Sequence, residues 1–129
     1  KANNYTPTLG TKVFLDMEDK STSNIGKDKL TQIADRFCSI IESKGYSCGI
    51  YANKTWLLNN LNAPELEQKY DIWLAEWPNN NTITSFMDAK NSMPTYNLTP
   101  YKYWQFTSNG TINGISGRVD LNLGYDIFD

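Results

Sequence analysis

Two rhythms of apolar and polar residues run along the chain. Lys12-Val-Phe-Leu-Asp-Met-Glu18 is a short apolar run ending in acids, and its β-branched and aromatic content predicts a strand. Leu30, Ile33, Ala34, Phe37, Ile40 and Ile41 then recur at helical spacing and predict a helix over 27–43, with Gly45 where a C-terminal cap belongs. Cys48-Gly-Ile-Tyr-Ala52 reads as a second strand only a few residues later. Strand, helix and strand joined by short loops make a βαβ unit, which implies a parallel pair. The pattern then repeats more weakly. Asn53 or Thr55 is placed to cap a short helix through Trp56 and Leu61, and Pro64 suits the first turn of another. Tyr70-Asp-Ile-Trp-Leu-Ala-Glu-Trp77 predicts a third strand, the most apolar of all. No period emerges between Pro78 and Pro100, which reads as an irregular excursion of the kind more often functional than idle. A fourth strand over 101–107 and a fifth over 118–123 flank a Gly-rich connector too short for a helical crossover, so these two are expected to be antiparallel.

Length and composition narrow the class. With 129 residues, 40% of them hydrophobic, and a net charge of -2, the chain suits one small globular domain. Histidine is absent, which removes Ser-His-Asp, Cys-His and His-ligated metal arrangements. Lysines scattered among acids at pI 5.1 leave no basic stripe for phosphates, so nucleic-acid binding is not expected. No apolar run approaches the roughly 20 residues that span a bilayer, and Lys1-Ala-Asn-Asn-Tyr5 is no signal peptide. Neither a membrane partner nor a compartment is therefore assigned. Cys38 and Cys48 cannot hold zinc unaided, and buried free thiols are expected of them, with pairing as the alternative.

The candidate chemistry is acidic. Asp16 and Glu18 stand two apart on the first predicted strand, so both point to one face while Val13, Leu15 and Met17 point to the other. Two like charges so close disfavour joint ionisation, which leaves one carboxyl able to hold a proton near neutral pH. Glycoside hydrolysis needs that division between an acid and a supporting anion. The alternatives are a strand that ends in a solvated acidic turn and, more remotely, a magnesium site lacking its usual Gly-rich phosphate loop. Asp120 is another acid among apolar neighbours, sharing a face with Asn122, and a simple strand end would also explain it. Trp73, Ala75 and Trp77 share a strand face, where two indoles flanking a small residue suit the C–H faces of a sugar or ordinary core packing. Tyr51 and Gln105 add polar tips on strands that otherwise bury apolar groups.

Five segments in order sharpen this picture: Phe14-Leu-Asp-Met-Glu18, Gly49-Ile-Tyr-Ala-Asn53, Trp73-Leu-Ala-Glu-Trp77, Trp104-Gln-Phe-Thr-Ser108 and Gly114-Ile-Ser-Gly-Arg-Val-Asp-Leu-Asn122. The series resembles glycoside hydrolase family 25, the Chalaropsis-type lysozymes or N-acetylmuramidases, from about Lys12 to Tyr125. The resemblance implies an α/β fold, a modified β/α barrel with its site at the C-terminal ends of the strands. It also implies hydrolysis of the β-1,4 bond between N-acetylmuramic acid and N-acetylglucosamine in peptidoglycan. By motif, Glu18 resembles the general acid, Asp16 its neighbouring carboxylate and Asp120 the acid of the last strand. Tyr51, Trp73, Trp77 and Gln105 resemble residues lining the glycan groove. No cofactor and no metal are implied.

Members of that family begin with three further strands and an additional catalytic Asp, and nothing in this sequence matches them. Residues 1–129 are therefore expected to be a single domain equivalent to the C-terminal two-thirds of the barrel, with Lys1 to Thr11 as the tail of a helix. Five strands that cannot close leave open edges, so self-association or pairing with a complementing N-terminal fragment is expected through the strand carrying Asp16 and Glu18. A non-catalytic glycan-binding fragment is the competing function. A flavodoxin-like nucleotide domain fits worse, because no Gly-rich turn follows the first strand.

Overall fold

A computed structural model describes residues 11–93 and 100–125 of the chain. Its centre is a five-stranded sheet in sequence order: β1 (Lys12–Asp16), β2 (Ser47–Asn53), β3 (Asp71–Ala75), β4 (Tyr103–Gly110) and β5 (Val119–Gly124). The pairs β1–β2, β2–β3 and β3–β4 are parallel, and β4–β5 is antiparallel. The first four strands follow the βα rhythm of the sequence. The last pair follows from a connector of eight residues, 111–118, which is too short to cross over. The Lys1–Thr11 reading lies outside the described residues except for Thr11.

Helix α1 (Lys27–Ser43) has the predicted bounds. It ends as its sequence demands: Gly45, at φ 90°, donates its N–H to Glu42, and Tyr46 donates to Ile41. A left-handed residue at this position closes the last turn, and glycine takes it without steric cost. The Trp56 region forms a π turn (Trp56–Asn60), with Asn53 Oδ1 accepting the Trp56 N–H at 2.9 Å. Helix α2 (Ala63–Glu67) starts on Asn62, whose side chain accepts from the Glu65 N–H. The expected irregular excursion contains two helices, α3 (Pro78–Asn81) and α4 (Phe86–Lys90), at four and five residues too short to show a period. Residues 94–99 of that excursion lie outside the description.

The core forms where one face of the sheet meets α1 and the segments after β2. Ile50, Ala52, Ile72, Leu74, Trp104 and Phe106 pack there with Leu30, Ala34, Leu57, Leu61 and Leu66. Cys38 on α1 and Cys48 on β2 are both buried in this layer and form a disulfide, with Cα atoms 5.2 Å apart. That corrects the expectation of free thiols. Helix α1 lies directly on β2, and strand alternation sends Cys48 toward it. Among the described residues the opposite face of the sheet carries no covering layer, and every candidate site residue on a strand points to it.

Candidate active site

Strand register assembles the site. Asp16 is the partner of Tyr51, Tyr51 of Trp73, Ala75 of Gln105 and Gln105 of Asn122. Because side chains alternate, this row of register partners stands on the open face, one strand after another. Asp16 ends β1, and the ladder runs one bond further, from the Met17 N–H to the Tyr51 carbonyl at 2.8 Å. Met17 is thereby buried beneath the site, and Glu18 emerges on the same side as Asp16.

The resulting cleft holds about 350 Å³. Asp16, Glu18 and Asp120 supply its carboxylates, and Phe14, Tyr51, Trp73 and Gln105 line the remainder. Phe14 and Tyr51 both meet the Trp73 ring edge-on, with centroids 5.1 and 5.0 Å away, and Tyr103 meets Phe14 at 5.3 Å. Below these rings, Lys12 pairs with Asp71 and lies 5.8 Å from the Tyr103 ring centre. An aromatic floor thus separates this ion pair from the acids above. Another cleft, of about 370 Å³, opens around the starts of β3 and β4 beside Tyr125, and it lacks the three clustered acids.

Glu18 has its pKa raised above the usual carboxylate value. The largest cause is the hydrogen bond with Asp16, which favours the protonated form, followed by burial and by the charges of Asp16 and Asp120. The same three carboxylates help push Tyr51 up to about 12, although burial contributes most. Tyr51 therefore stays a neutral donor, and its hydroxyl donates to Gln105 Oε1 at 3.0 Å. Asp19, next in the acidic run, has a separate job. Its carboxylate accepts from the N–H and hydroxyl of Ser21 at the start of a 3₁₀ helix (Lys20–Ile25), and these bonds lower its pKa. The acidic run is thus divided between a clustered pair and a cap.

Trp73 and Trp77 are placed differently. Trp73 forms part of the cleft wall, and its Nε1 donates to Asn122 Oδ1 at 2.8 Å. Trp77 stands beyond the end of β3, is 44% exposed, and donates from Nε1 to Gln105 Oε1 at 3.1 Å. It borders the cleft through Gln105. The Trp77 segment is tied to β4 by Asn81, whose φ of 65° is the left-handed form that Asn tolerates better than most residues. Asn81 Oδ1 accepts from Thr107 Oγ1 at 2.6 Å and Ser108 N–H at 3.0 Å, and its Nδ2 donates to Ser108 Oγ at 2.8 Å.

Three contributors escaped the sequence reading. Phe14 carried a readable signal, since it lies two residues before Asp16 and therefore on its face. Asn122 was visible as a face-mate of Asp120, but its indole partner was not. Asn81 sits in the aperiodic excursion and offered no signal at all. Among the described residues, no group of three or more His, Cys, Asp or Glu is disposed to hold a metal ion.

Comparisons with known proteins agree with this geometry. The Streptococcus phage B30 protein called D-alanyl-L-alanine endopeptidase is 28% identical over 115 residues, 84% of this chain and 24% of that protein. The catalytic domain of endolysin ply40 from a Listeria monocytogenes bacteriophage is 28% identical with a TM-score of 0.62, covering 90% of this chain and 50% of that one. The modular Cpl-1 endolysin, solved with a peptidoglycan analogue, shares the fold at 20% identity with a TM-score of 0.68, over 93% of this chain and 31% of its own. The chain thus spans about a quarter of the phage B30 relative and a third to a half of these solved structures. The open five-stranded sheet corresponds to part of their β/α barrel, and the model for glycosyl hydrolases family 25 matches residues 2–115. The chain belongs to glycosyl hydrolases family 25.

Proposed function

We propose that the chain carries the acid-bearing part of a peptidoglycan hydrolase that cleaves the β-1,4 bond between N-acetylmuramic acid and N-acetylglucosamine. The observation that carries this reading is Glu18, held toward its protonated form by Asp16 and Asp120 at the mouth of an aromatic-lined cleft. Glu18 is the general acid and gives its proton to the leaving glycosidic oxygen. Asp16 and Asp120 orient water or substrate and support positive charge on the sugar ring. Tyr51, Trp73, Trp77 and Gln105 hold the glycan. The peptide-bond activity in the name of the phage B30 relative is said of that whole protein, of which this chain spans 24%, and is not carried over.

The partner is the peptidoglycan glycan strand. In addition, the edge of β1, which no described strand pairs, and the face of the sheet opposite the core are proposed to accept either a second copy or complementing β/α units. The test is the release of new reducing ends from purified peptidoglycan, by the chain alone and mixed with the N-terminal units of a family-25 relative. Glu18→Gln is expected to lower that release by about 10² to 10⁴. Retention of more than about a tenth of the activity removes Glu18 from the acid role. The β1 edge, which no described strand pairs, favours a second reading, glycan binding without turnover. Binding with no new reducing ends in either mixture selects it.

A further inference from the structure

Two asparagines in the chain stand directly before a glycine, Asn109 and Asn113. A glycine nitrogen has no side chain beside it to block approach, so such a pair is open to attack within the chain itself. The fold treats the two very differently. Asn109 lies in β4, where its N–H donates to Thr107 Oγ1 at 3.0 Å and its Nδ2 donates to the Asn81 carbonyl at 3.1 Å. Gly110 after it is buried, stands in register with Val119, and is packed so closely that a Cβ there would meet Leu121 Cγ at 2.5 Å. Asn113 is exposed in the connector between β4 and β5. The Ile115 N–H donates to the Ile112 carbonyl at 3.0 Å, and Gly114 has φ 90°. These features make a type II turn with Asn113 and Gly114 at its central positions. The peptide between them lies outside the closing bond, and none of the described hydrogen bonds engages the Asn113 carboxamide or the Gly114 N–H. A Cβ on Gly114 would meet nothing within 4 Å.

We infer that Asn113 is a site of spontaneous covalent modification, closing on the Gly114 nitrogen to a succinimide that water opens to aspartate and isoaspartate. The Gly114 nitrogen gives up its proton and attacks Asn113 Cγ. The new C–N bond forms as the bond from Cγ to the carboxamide nitrogen breaks, and that nitrogen leaves as ammonia with the proton. One water then adds to either carbonyl of the ring. Opening on one side yields aspartate at position 113. Opening on the other carries the main chain through Cγ and yields isoaspartate. Asparagine and water become aspartate and ammonia, and nothing is oxidised or reduced. In the exposed turn the carboxamide swings onto the Gly114 nitrogen with no described hydrogen bond to break. At Asn109 the same motion must first break the bond to Asn81 and lift Gly110 out of its register with Val119. The product adds a negative charge to the connector that leads into β5, the strand bearing Asp120.

The test is incubation of the full 129-residue chain at pH 8 and at pH 5, with and without urea, followed by trypsin digestion and mass spectrometry. Cleavage after Lys102 and Arg118 puts both asparagines in one peptide, 103–118, whose fragment ions say which of them has gained one mass unit. In the folded chain Asn113 is expected to change at least about tenfold faster than Asn109, the factor supplied by one or two hydrogen bonds that must open first. The change is expected to be faster at pH 8, because the attacking nitrogen must lose its proton. In urea the two rates are expected to converge, since the local structure that separates them is gone. Asn113→Gln moves the carbonyl one carbon further from the Gly114 nitrogen, and is expected to abolish the gain at 113 while leaving the gain at 109 in urea. Equal rates at the two asparagines in the folded chain, or a faster change at Asn109, overturn the proposal. So does an Asn113 that changes in urea and stays intact in the folded chain.

Discussion

At the scale of single residues, the electrostatics of the cleft turn on how Glu18 shares protons. Its pKa is higher in the folded chain than the ordinary carboxylate value, so the native state favours the protonated form. The stability this contributes is present below the ordinary carboxylate range and is lost as pH rises through the folded value. Glu18→Gln removes the repulsion that remains at neutral pH. It is therefore expected to raise Tm at pH 7 slightly, on the order of a degree or two for so exposed a group, and the gain should fade toward pH 4 and in high salt. Thermal scans at both pH values check the sign. Gly49 supplies another residue-scale prediction. A Cβ there would meet Phe14 Cε2 at 2.5 Å and the Asp71 carbonyl oxygen at 2.8 Å. The ring can shift but the carbonyl cannot, so Gly49→Ala is expected to cost about 1–3 kcal/mol in urea unfolding and to change Trp73 fluorescence. The acid pair was readable in the sequence because period 2 is a property of any strand. The hydrogen bonds from Tyr51 and Trp77 to Gln105 and from Trp73 to Asn122 were not, since they join four separate segments whose spacing only the register sets.

At the scale of elements, long and periodic segments could be read and short ones could not. Helix α1 shows its apolar stripe over four turns and a glycine at its end, and both its limits follow. The predicted third strand ran to Trp77, whereas β3 stops at Ala75 and leaves Trp77 to open α3. A run of apolar residues cannot reveal where its hydrogen bonding ends. Pairing of Cys38 with Cys48 escaped for a related reason: spacing says nothing about whether a helical and a strand side chain point at each other. The disulfide closes a loop with a sequence separation of 10 between α1 and β2. Replacing both cysteines by Ala is expected to cost about 3 kcal/mol from loop closure, measured as a shift in the urea midpoint at constant m-value.

At the scale of the whole molecule, the chain is a curled sheet with helices on one face. Parallel sheets are ordinarily covered on both faces, and here the covered face holds the core while the other holds the cleft. Helix α1 exposes Ile33 and Ile40, with Phe37 between them half-buried. The resemblance to a barrel made a sheet that does not close on itself readable in advance, because five strands are too few to close one. Light scattering is expected to show self-association that declines when complementing β/α units are added. A stable monomer with well-dispersed amide signals would refute this.

The acids sit two rungs above Phe14 on a strand whose other face is core, so β1 has a handedness in sequence space. One residue inserted between Phe14 and Leu15 would turn both carboxyl groups toward the apolar layer and Leu15 toward the cleft. The same insertion between β4 and β5 would merely lengthen an exposed loop. Tolerance to insertion should therefore differ sharply between two places that look equally peripheral in the linear chain.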